Sequence, residues 1–311
     1  MFTSELNLQA RRRRIAFLFL APTLTTLLCV TVWPLVRTIW FSFTDTTTSH
    51  LYEGHWIGFD NYLSLRTLAS GKVVWKGTLV DPAWWNAVWN TLYFTILSLC
   101  FETTFGLIIA LTLNTHFRGR NLLRTAILIP WVIPSIVSAK MWGWMLNDQF
   151  GIINDFLLNV GLIREKIAWT ANFDTAMISV LFVDIWKTTP FMTLLILSGL
   201  QMIPPDIYEA ACLDGVHPVK VFFHITLPLI WPTLFVAIIF RVLDALRMFD
   251  LVYILTPGSS ATKTMSAVSR ENMIDFDQFA YGAAQSTLLF LFLIFFVSIA
   301  LQISKTKLLE E

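Results

Sequence analysis

The sequence predicts an all-α integral membrane protein with six transmembrane helices. Three observations carry that reading. Of the 311 residues, 56% are hydrophobic and only 14% charged, against roughly 25% charged in soluble domains. The apolar residues fall in blocks near the ~20 residues needed to cross a bilayer core as a helix, well beyond the length of a barrel strand. Lys and Arg are also distributed unevenly between the blocks, as the positive-inside rule requires.

The first block, Ile15–Phe43, follows Arg11–Arg14. It is too long for a secretory signal, and Ala21-Pro22 makes a poor cleavage site, so the arginines read as a topological anchor. The later blocks are Asn90–Asn114, Leu123–Leu146, Ala176–Gln201, Leu229–Leu255 and Gln285–Ser304. With the N-terminus inside, the inner segments hold ten Lys and Arg: Arg11–Arg14, Arg118, Arg120, Arg124, Lys220, Lys305 and Lys307. The outer segments hold seven over much more chain: Arg66, Lys72, Lys76, Arg164, Lys166, Lys263 and Arg270. Six spans then put both termini in the cytoplasm. The outer loops are 44–89, 147–175 and 256–284. Their Trp56, Trp75, Trp84, Trp85, Trp89 and Trp169 suit interface anchoring better than ligand contact.

Net charge is +1, which offers nothing to nucleic acid. Cys29, Cys100 and Cys212 have no plausible local partners, so neither a disulfide framework nor a metal site is expected. No G-x-x-x-x-G-K-[ST] occurs, and no nucleophile–base set stands out. Catalytic residues are therefore expected to be none.

The cytoplasmic segment Met202–Pro228 is polar and punctuated by proline. Pro204-Pro205 ends the fourth span and lets Pro205 open a short helix. Asp206 and Glu209 lie at that helix's positive end. Gly215 suits a left-handed helix terminus. Pro218 starts a second short helix, which Pro228 is expected to close. Helix, glycine turn, helix is a compact knob that a cytoplasmic partner can grip. With Lys220 its sole Lys or Arg, the segment is poorly suited to resting on anionic lipid.

Glu209-Ala210-Ala211, three residues, Gly215, nine residues, then Ile225, Leu227 and Pro228 resembles the EAA signature of ABC importer permeases at every fixed position. Asp214 lies beside its glycine. "DIWKTTPFMTLLILSGLQMIP" before the loop and "FRVLDALRMFDLVYILTPGSS" after it resemble the maltose, trehalose and glycerol-phosphate branch of that family. "APTLTTLLCVTVWPLVRTIWFSF" near the start does so as well. The resemblance implies a type I ABC importer permease fold in a bacterial cytoplasmic (inner) membrane. It implies a second related permease, two ATPase subunits and an external substrate-binding protein as partners. The loop would be the coupling helix, and the cargo a sugar or sugar derivative. No cofactor is expected in this chain, since ATP and magnesium would belong to the ATPase. The organisation expected is 1–88 (tail, first span, first outer loop), 89–304 (permease core with coupling loop 202–228) and 305–311 (tail).

Charges inside spans usually face protein or water. Arg37 and Lys140 are expected to snorkel outward. Glu102 suits a hydrogen bond between helices or a substrate contact. Asp184 and Lys187 can pair at i, i+3, and Thr188 follows them. Arg241, Asp244, Arg247 and Asp250 recur every three residues along the fifth span: they form an intrahelical ion-pair ladder, or else Asp244 and Arg247 grasp a sugar and Asp250 serves the outer gate or the binding-protein contact. Trp142 and Trp186 would offer ring faces to a sugar, or else helix packing. These eight residues form the candidate substrate pathway: Asp184, Lys187, Thr188, Asp244, Arg247, Asp250, Trp142 and Trp186. A proton-driven secondary transporter would use the same charges. A multi-span membrane enzyme would need a partner set that Asp184, Lys187, Asp244 and Arg247 lack.

Overall fold

The computed structural model of the chain describes residues 2–51, 53–67 and 71–308, with the side chains of 2–11, 13, 66 and 303–308 set apart. The expectations placed on the side chains of Arg11, Arg13, Arg66, Lys305 and Lys307, and on the tip of the 305–311 tail, lie outside the described residues. Helix α1 (Phe2–Leu27) runs through a π turn, Leu28–Val32, into α2 (Trp33–Phe41). Strands β1 (Ser64–Thr67) and β2 (Val73–Lys76) pair antiparallel, Ser64 opposite Lys76. Then come α3 (Pro82–Asn114), α4 (Arg120–Ala126), α5 (Ile129–Val132), α6 (Ser135–Met145), α7 (Ile152–Asn159), α8 (Phe173–Leu200), α9 (Pro205–Leu213) and α10 (Pro218–Val221). The chain continues with α11 (Leu227–Leu246), α12 (Asp250–Leu255), α13 (Met265–Arg270) and α14 (Phe279–Leu308).

Among the described residues, five helical stretches are long and apolar enough to cross a membrane: Arg14–Phe41, Pro82–Asn114, Phe173–Leu200, Pro218–Leu246 and Phe279–Gln302. Arg120–Val132 and Ser135–Met145 pass the same test only as a pair, bent by 89°, and make a sixth when the pair is counted as one broken span. The six blocks are therefore helical, but three differ from expectation in form. The third is broken, because Pro134 pushes Ile133 into extended backbone (φ −65°, ψ 129°). The fifth does not run unbroken to Leu255; α11 ends at Leu246 and a new helix starts at Asp250. At its other end, Pro228 closes nothing. The π turn Phe222–Thr226, where Leu227 N–H donates to the Phe222 carbonyl, carries α10 straight into α11. A wider turn leaves room for a proline that an α-helix would exclude.

The second span starts at Pro82, eight residues earlier than Asn90, with Asp81 as N-cap accepting from Ala83 N–H at 2.9 Å. That places Trp84, Trp85 and Trp89 on the helix. Trp84 is buried, so it is a packing residue rather than an interface anchor. Trp169 is also not a simple anchor: its indole donates to Asn154 Oδ1 at 2.9 Å.

The chain forms two compact units, one of residues up to Val80 with Ser269–Leu288, the other Asp81–Val268 with Leu289 onward. In the first, the turn after α2 closes on an aromatic knot. The Phe43 ring lies 5.2 Å from Trp56 and 5.6 Å from Tyr62, and Asn61 donates to the Ser42 and Thr44 carbonyls at 2.9 and 2.7 Å. Arg37 rests 4.6 Å over the Phe41 ring, a cation–π contact. Asp277, at φ 55°, accepts from Thr48 N–H at 2.8 Å and the Ser49 hydroxyl at 3.1 Å.

The second unit is built around α3, α8 and α11. Ala110, Leu113, Ile196, Leu200, Ile230 and Leu234 make one apolar cluster towards the α9 end. Phe94, Trp142, Val180, Val183 and Leu251 belong to the other. Small residues let α3 and α8 approach closely. A Cβ at Gly106 would stand 3.1 Å from the Met192 Cβ and 3.3 Å from the Thr193 nitrogen. Gly106→Val is expected to cost about 1–3 kcal/mol by overpacking, read as a lower unfolding temperature of the purified protein in detergent; an unchanged or raised temperature would contradict this packing.

Candidate functional site

One face of α3 carries Thr91, Thr95, Ser98 and Glu102, all buried. The spacing of four, three and four residues keeps them in line along the helix. At one end, the Thr91 hydroxyl accepts from Met265 N–H at 2.9 Å, and Asn90 donates to the Ser260 and Lys263 carbonyls, both at 3.0 Å. At the other end, Glu102 meets Arg241.

Arg241 of α11 is 1% exposed. Its Nε and Nη2 donate to the two oxygens of Glu102, the Nη2 bond at 2.8 Å. Nη2 also donates to Asp184 Oδ2 of α8, and Nη1 to Asp244 Oδ2 at 3.0 Å. The Thr188 hydroxyl donates to Glu102 Oε1 at 2.5 Å, and the Asp184 carbonyl stands 2.7 Å from the same hydroxyl oxygen as a second acceptor in reach. One guanidinium thus holds three carboxylates from three helices. A buried charge must be paired and hydrogen-bonded to be tolerable, and the planar fork of Arg can serve several acceptors at once.

Directly beside this cluster lies a cavity of ≈ 350 Å³, lined among others by Asp184, Lys187, Thr188, Asp244, Arg247 and Asp250. Its volume falls within the ~300–1,000 Å³ of small-molecule sites. The break after α11 makes its wall. Arg247 and Phe249 leave helical backbone (φ −100°, ψ 10° and φ −135°, ψ −60°). Arg247 donates from Nε to the Leu243 carbonyl at 3.1 Å, while Thr264 donates to the freed Met248 carbonyl at 2.7 Å. Irregular backbone at membrane depth is tolerated where protein satisfies it or water lines it.

Six of the eight pathway candidates therefore meet at one cavity. Trp142 and Trp186 do not line it: their rings pack edge-on at 5.4 Å, with Trp142 in the apolar core. Asp184 does not pair with Lys187, because Arg241 takes its carboxylate. Asp244 likewise faces Arg241 rather than Arg247. Asp250 is not on the helix that carries Arg241 and Asp244, and Arg247 is that helix's C-cap. Ser135 and Phe249, which also line the cavity, went unnoticed in the sequence. Ser135 follows the Pro134 bend, the one available signal for it.

The segment between α8 and α11 folds as helix, turn, helix. Gly215 takes φ +68°, with Gly215 N–H donating to the Cys212 carbonyl at 3.0 Å and Val216 N–H to Ala211 at 3.1 Å. This is the Schellman pattern. His217 caps α10, its Nδ1 accepting from Val219 N–H at 3.3 Å, and Tyr208 meets the Thr226 hydroxyl at 3.2 Å. Ala211 is buried, whereas Glu209, Ala210, Asp214 and Pro228 are exposed and Ile225 and Leu227 half-buried. Leu213 is 89% exposed, with Met202, Val219 and Phe223 also bare. No group of three or more metal-ligating side chains occurs among the described residues.

Residues 102–309 match the family model described as binding-protein-dependent transport system inner membrane component. The chain belongs to that family. As a member of it, the protein is a multi-pass inner-membrane ABC transporter permease. The trehalose/maltose transport system permease protein MalF of Thermococcus litoralis is 36% identical over 302 residues, 97% of each chain. The sulfoquinovosyl glycerol transport system permease protein SmoG of Agrobacterium fabrum is 34% identical over 298 residues, 95% of this chain and 92% of that one. Among solved structures, a bacterial ABC transporter involved in importing the acidic polysaccharide alginate matches with a TM-score of 0.79 at 21% identity, covering 97% of this chain and 99% of that one. This likeness establishes the type I permease fold.

Breaking the buried cluster from its centre should be severe. Arg241→Met leaves Glu102 and Asp184 without their cation and is expected to cost about 3–5 kcal/mol. Thermal unfolding of the purified variant reads this; a shift within the scatter of exposed-site variants would show the cluster to be structurally dispensable.

Proposed function

We propose that this permease carries a carbohydrate, a di- or oligosaccharide or a sugar derivative, into the cell. Its coupling to ATP hydrolysis in two partner ATPase subunits would run through residues 202–228. The supporting observation is the exposed α9–Gly215–α10 knob, whose bare Leu213 and rigid left-handed turn suit insertion into a cleft of another protein. Glu209, Ala210, Asp214 and Gly215 form its face, Ala211 packs beneath it, and Ile225, Leu227 and Pro228 root it in α11. The carbohydrate reading draws on relatives named for trehalose, maltose and sulfoquinovosyl glycerol transport. It draws equally on the cavity, where carboxylates, a guanidinium and hydroxyls stand beside Phe249 and Leu251. Sugars need hydrogen-bond partners for their hydroxyls and apolar surface for their C–H faces.

In this reading Asp184, Lys187, Thr188, Asp244, Arg247 and Asp250 line the translocation path. An external binding protein delivers the cargo, and a second related permease completes the path. Both termini and residues 202–228 face the cytoplasm. Residues 89–304 make the transporting core. ATP and magnesium stay in the ATPase, and this chain performs no chemistry of its own.

Uptake of labelled sugar into proteoliposomes holding the full complex should require ATP and the binding protein. Gly215→Leu forces a Cβ into a left-handed turn at a cost of about 1 kcal/mol or more. It should depress uptake and ATPase stimulation together while the chain still inserts. Wild-type uptake by Gly215→Leu would overturn the coupling role, and uptake driven by a proton gradient without ATPase subunits would instead make the protein a secondary transporter.

Orientation is read separately. With Cys29, Cys100 and Cys212 replaced by serine, single cysteines at Gly119 and Asp214 should resist an impermeant thiol reagent in intact cells, and those at Gly58 and Ser260 should react. Labelling at Gly119 from outside would reverse the topology.

A further inference from the structure

Glu102 lies outside the cavity, yet it governs the wall. It is fully buried and takes three hydrogens: two from Arg241 and one from the Thr188 hydroxyl. Without it, two guanidinium donors would be released in a space where Asp184 and Asp244 are the remaining acceptors. The guanidinium would turn towards them, and the Thr188 hydroxyl would turn its hydrogen to the Asp184 carbonyl. With Glu102 in place, Arg241 spends a single bond on Asp244, through Oδ2. The Asp244 side chain remains 66% exposed, and its Oδ1 has no partner among the described residues. On the side of Asp184, Thr188 and Asp244 the cavity presents an acceptor surface, fixed from behind, while Lys187 and Arg247 line it elsewhere.

We propose that Glu102 is a positioning residue for transport: through Arg241 and Thr188 it sets the acceptor wall of Asp184, Thr188 and Asp244 for a hydroxyl-rich ligand that donates hydrogen bonds to it. The inference rests on the reading of this cavity as part of the substrate path. It extends that reading by assigning selectivity to a side chain the ligand never touches. Donor-rich neutral sugars fit such a wall; a ligand presenting only acceptors there does not.

The test uses the assembled complex with its binding protein and ATPases, in proteoliposomes. Probes are labelled trehalose, maltose and sulfoquinovosyl glycerol, the variants being measured with whichever sugar the wild type imports. Glu102→Gln keeps the shape but weakens the acceptor; Glu102→Asp keeps the charge but withdraws it by one methylene. Asp244→Asn alters the wall directly. Both Glu102 variants are expected to raise the half-saturating sugar concentration about tenfold, or ~1.4 kcal/mol, with the maximal rate per assembled complex largely kept. Asp244→Asn should do the same.

A packing role would lower the yield of complex and leave half-saturation alone, and that result overturns the proposal. If Glu102→Gln fails to assemble, Glu102→Asp decides: half-saturation as in wild type overturns the proposal. A shift with Asp244→Asn but with neither Glu102 variant removes Glu102 from the path and leaves the cavity reading standing. No shift with any of the three, or no uptake of any of the sugars by wild type, overturns the cavity reading and the proposal together.

Discussion

The charge on Arg241 cannot be left unpaired among packed, apolar helices, and that constraint organises the second unit. A guanidinium at that depth is tolerable only when acceptors surround it. Here they come from three places in the chain: Glu102 on α3, Asp184 on α8 and Asp244 one turn further along α11. Lipid-facing helices have little hydrophobic reason to prefer one neighbour over another. An ion cluster with directional bonds supplies that preference and fixes rotation and depth together. Gly106 and Ala110 let the backbones come close enough for the side chains to reach.

The same cluster explains why a cavity can exist beside it. An open polar space among helices would ordinarily leave carbonyls and carboxylates without partners. Arg241 holds the carboxylates from behind, and Thr264 serves the Met248 carbonyl that the end of α11 releases. The helix can therefore stop at Leu246 and restart at Asp250. Nothing in residues 244–250 is a proline or a glycine; the break is held by the Arg247 bond to Leu243 and the Thr264 bond to Met248.

That contrast marks how far the sequence could be read. Apolar blocks are a local quantity, and they located the spans. Proline and glycine chemistry is local too: Gly215 turns left-handed where the loop pattern puts it, and Pro205 opens α9. Pro130 and Pro134 were in plain view as well, yet a block reading averages over them and missed the 89° bend. Pro228 misled in the other direction, because a π turn absorbs a residue that ordinary helical geometry would refuse. The partnership of Glu102 with Arg241 spans 139 positions, and no periodicity reports such a contact. Charge spacing within the fifth block suggested a ladder among its own members, whereas its central arginine reaches mainly to other helices. Trp142 and Trp186 had the right residue type for a sugar and the wrong surroundings.

The π turn at Phe222–Thr226 has a mechanical consequence. It joins α10 and α11 without a hinge, so Pro218–Leu246 is one strut of 29 residues, about 44 Å end to end. Its foot is the exposed loop and its head carries Arg241. Had Pro228 cut the helix, the foot could swivel while the head stayed still. As built, foot and head belong to one continuous helix, and the guanidinium at its head is held by carboxylates from two neighbouring helices. The loop and the buried charges are separate in sequence and in solvent exposure, yet one unbroken helix carries both.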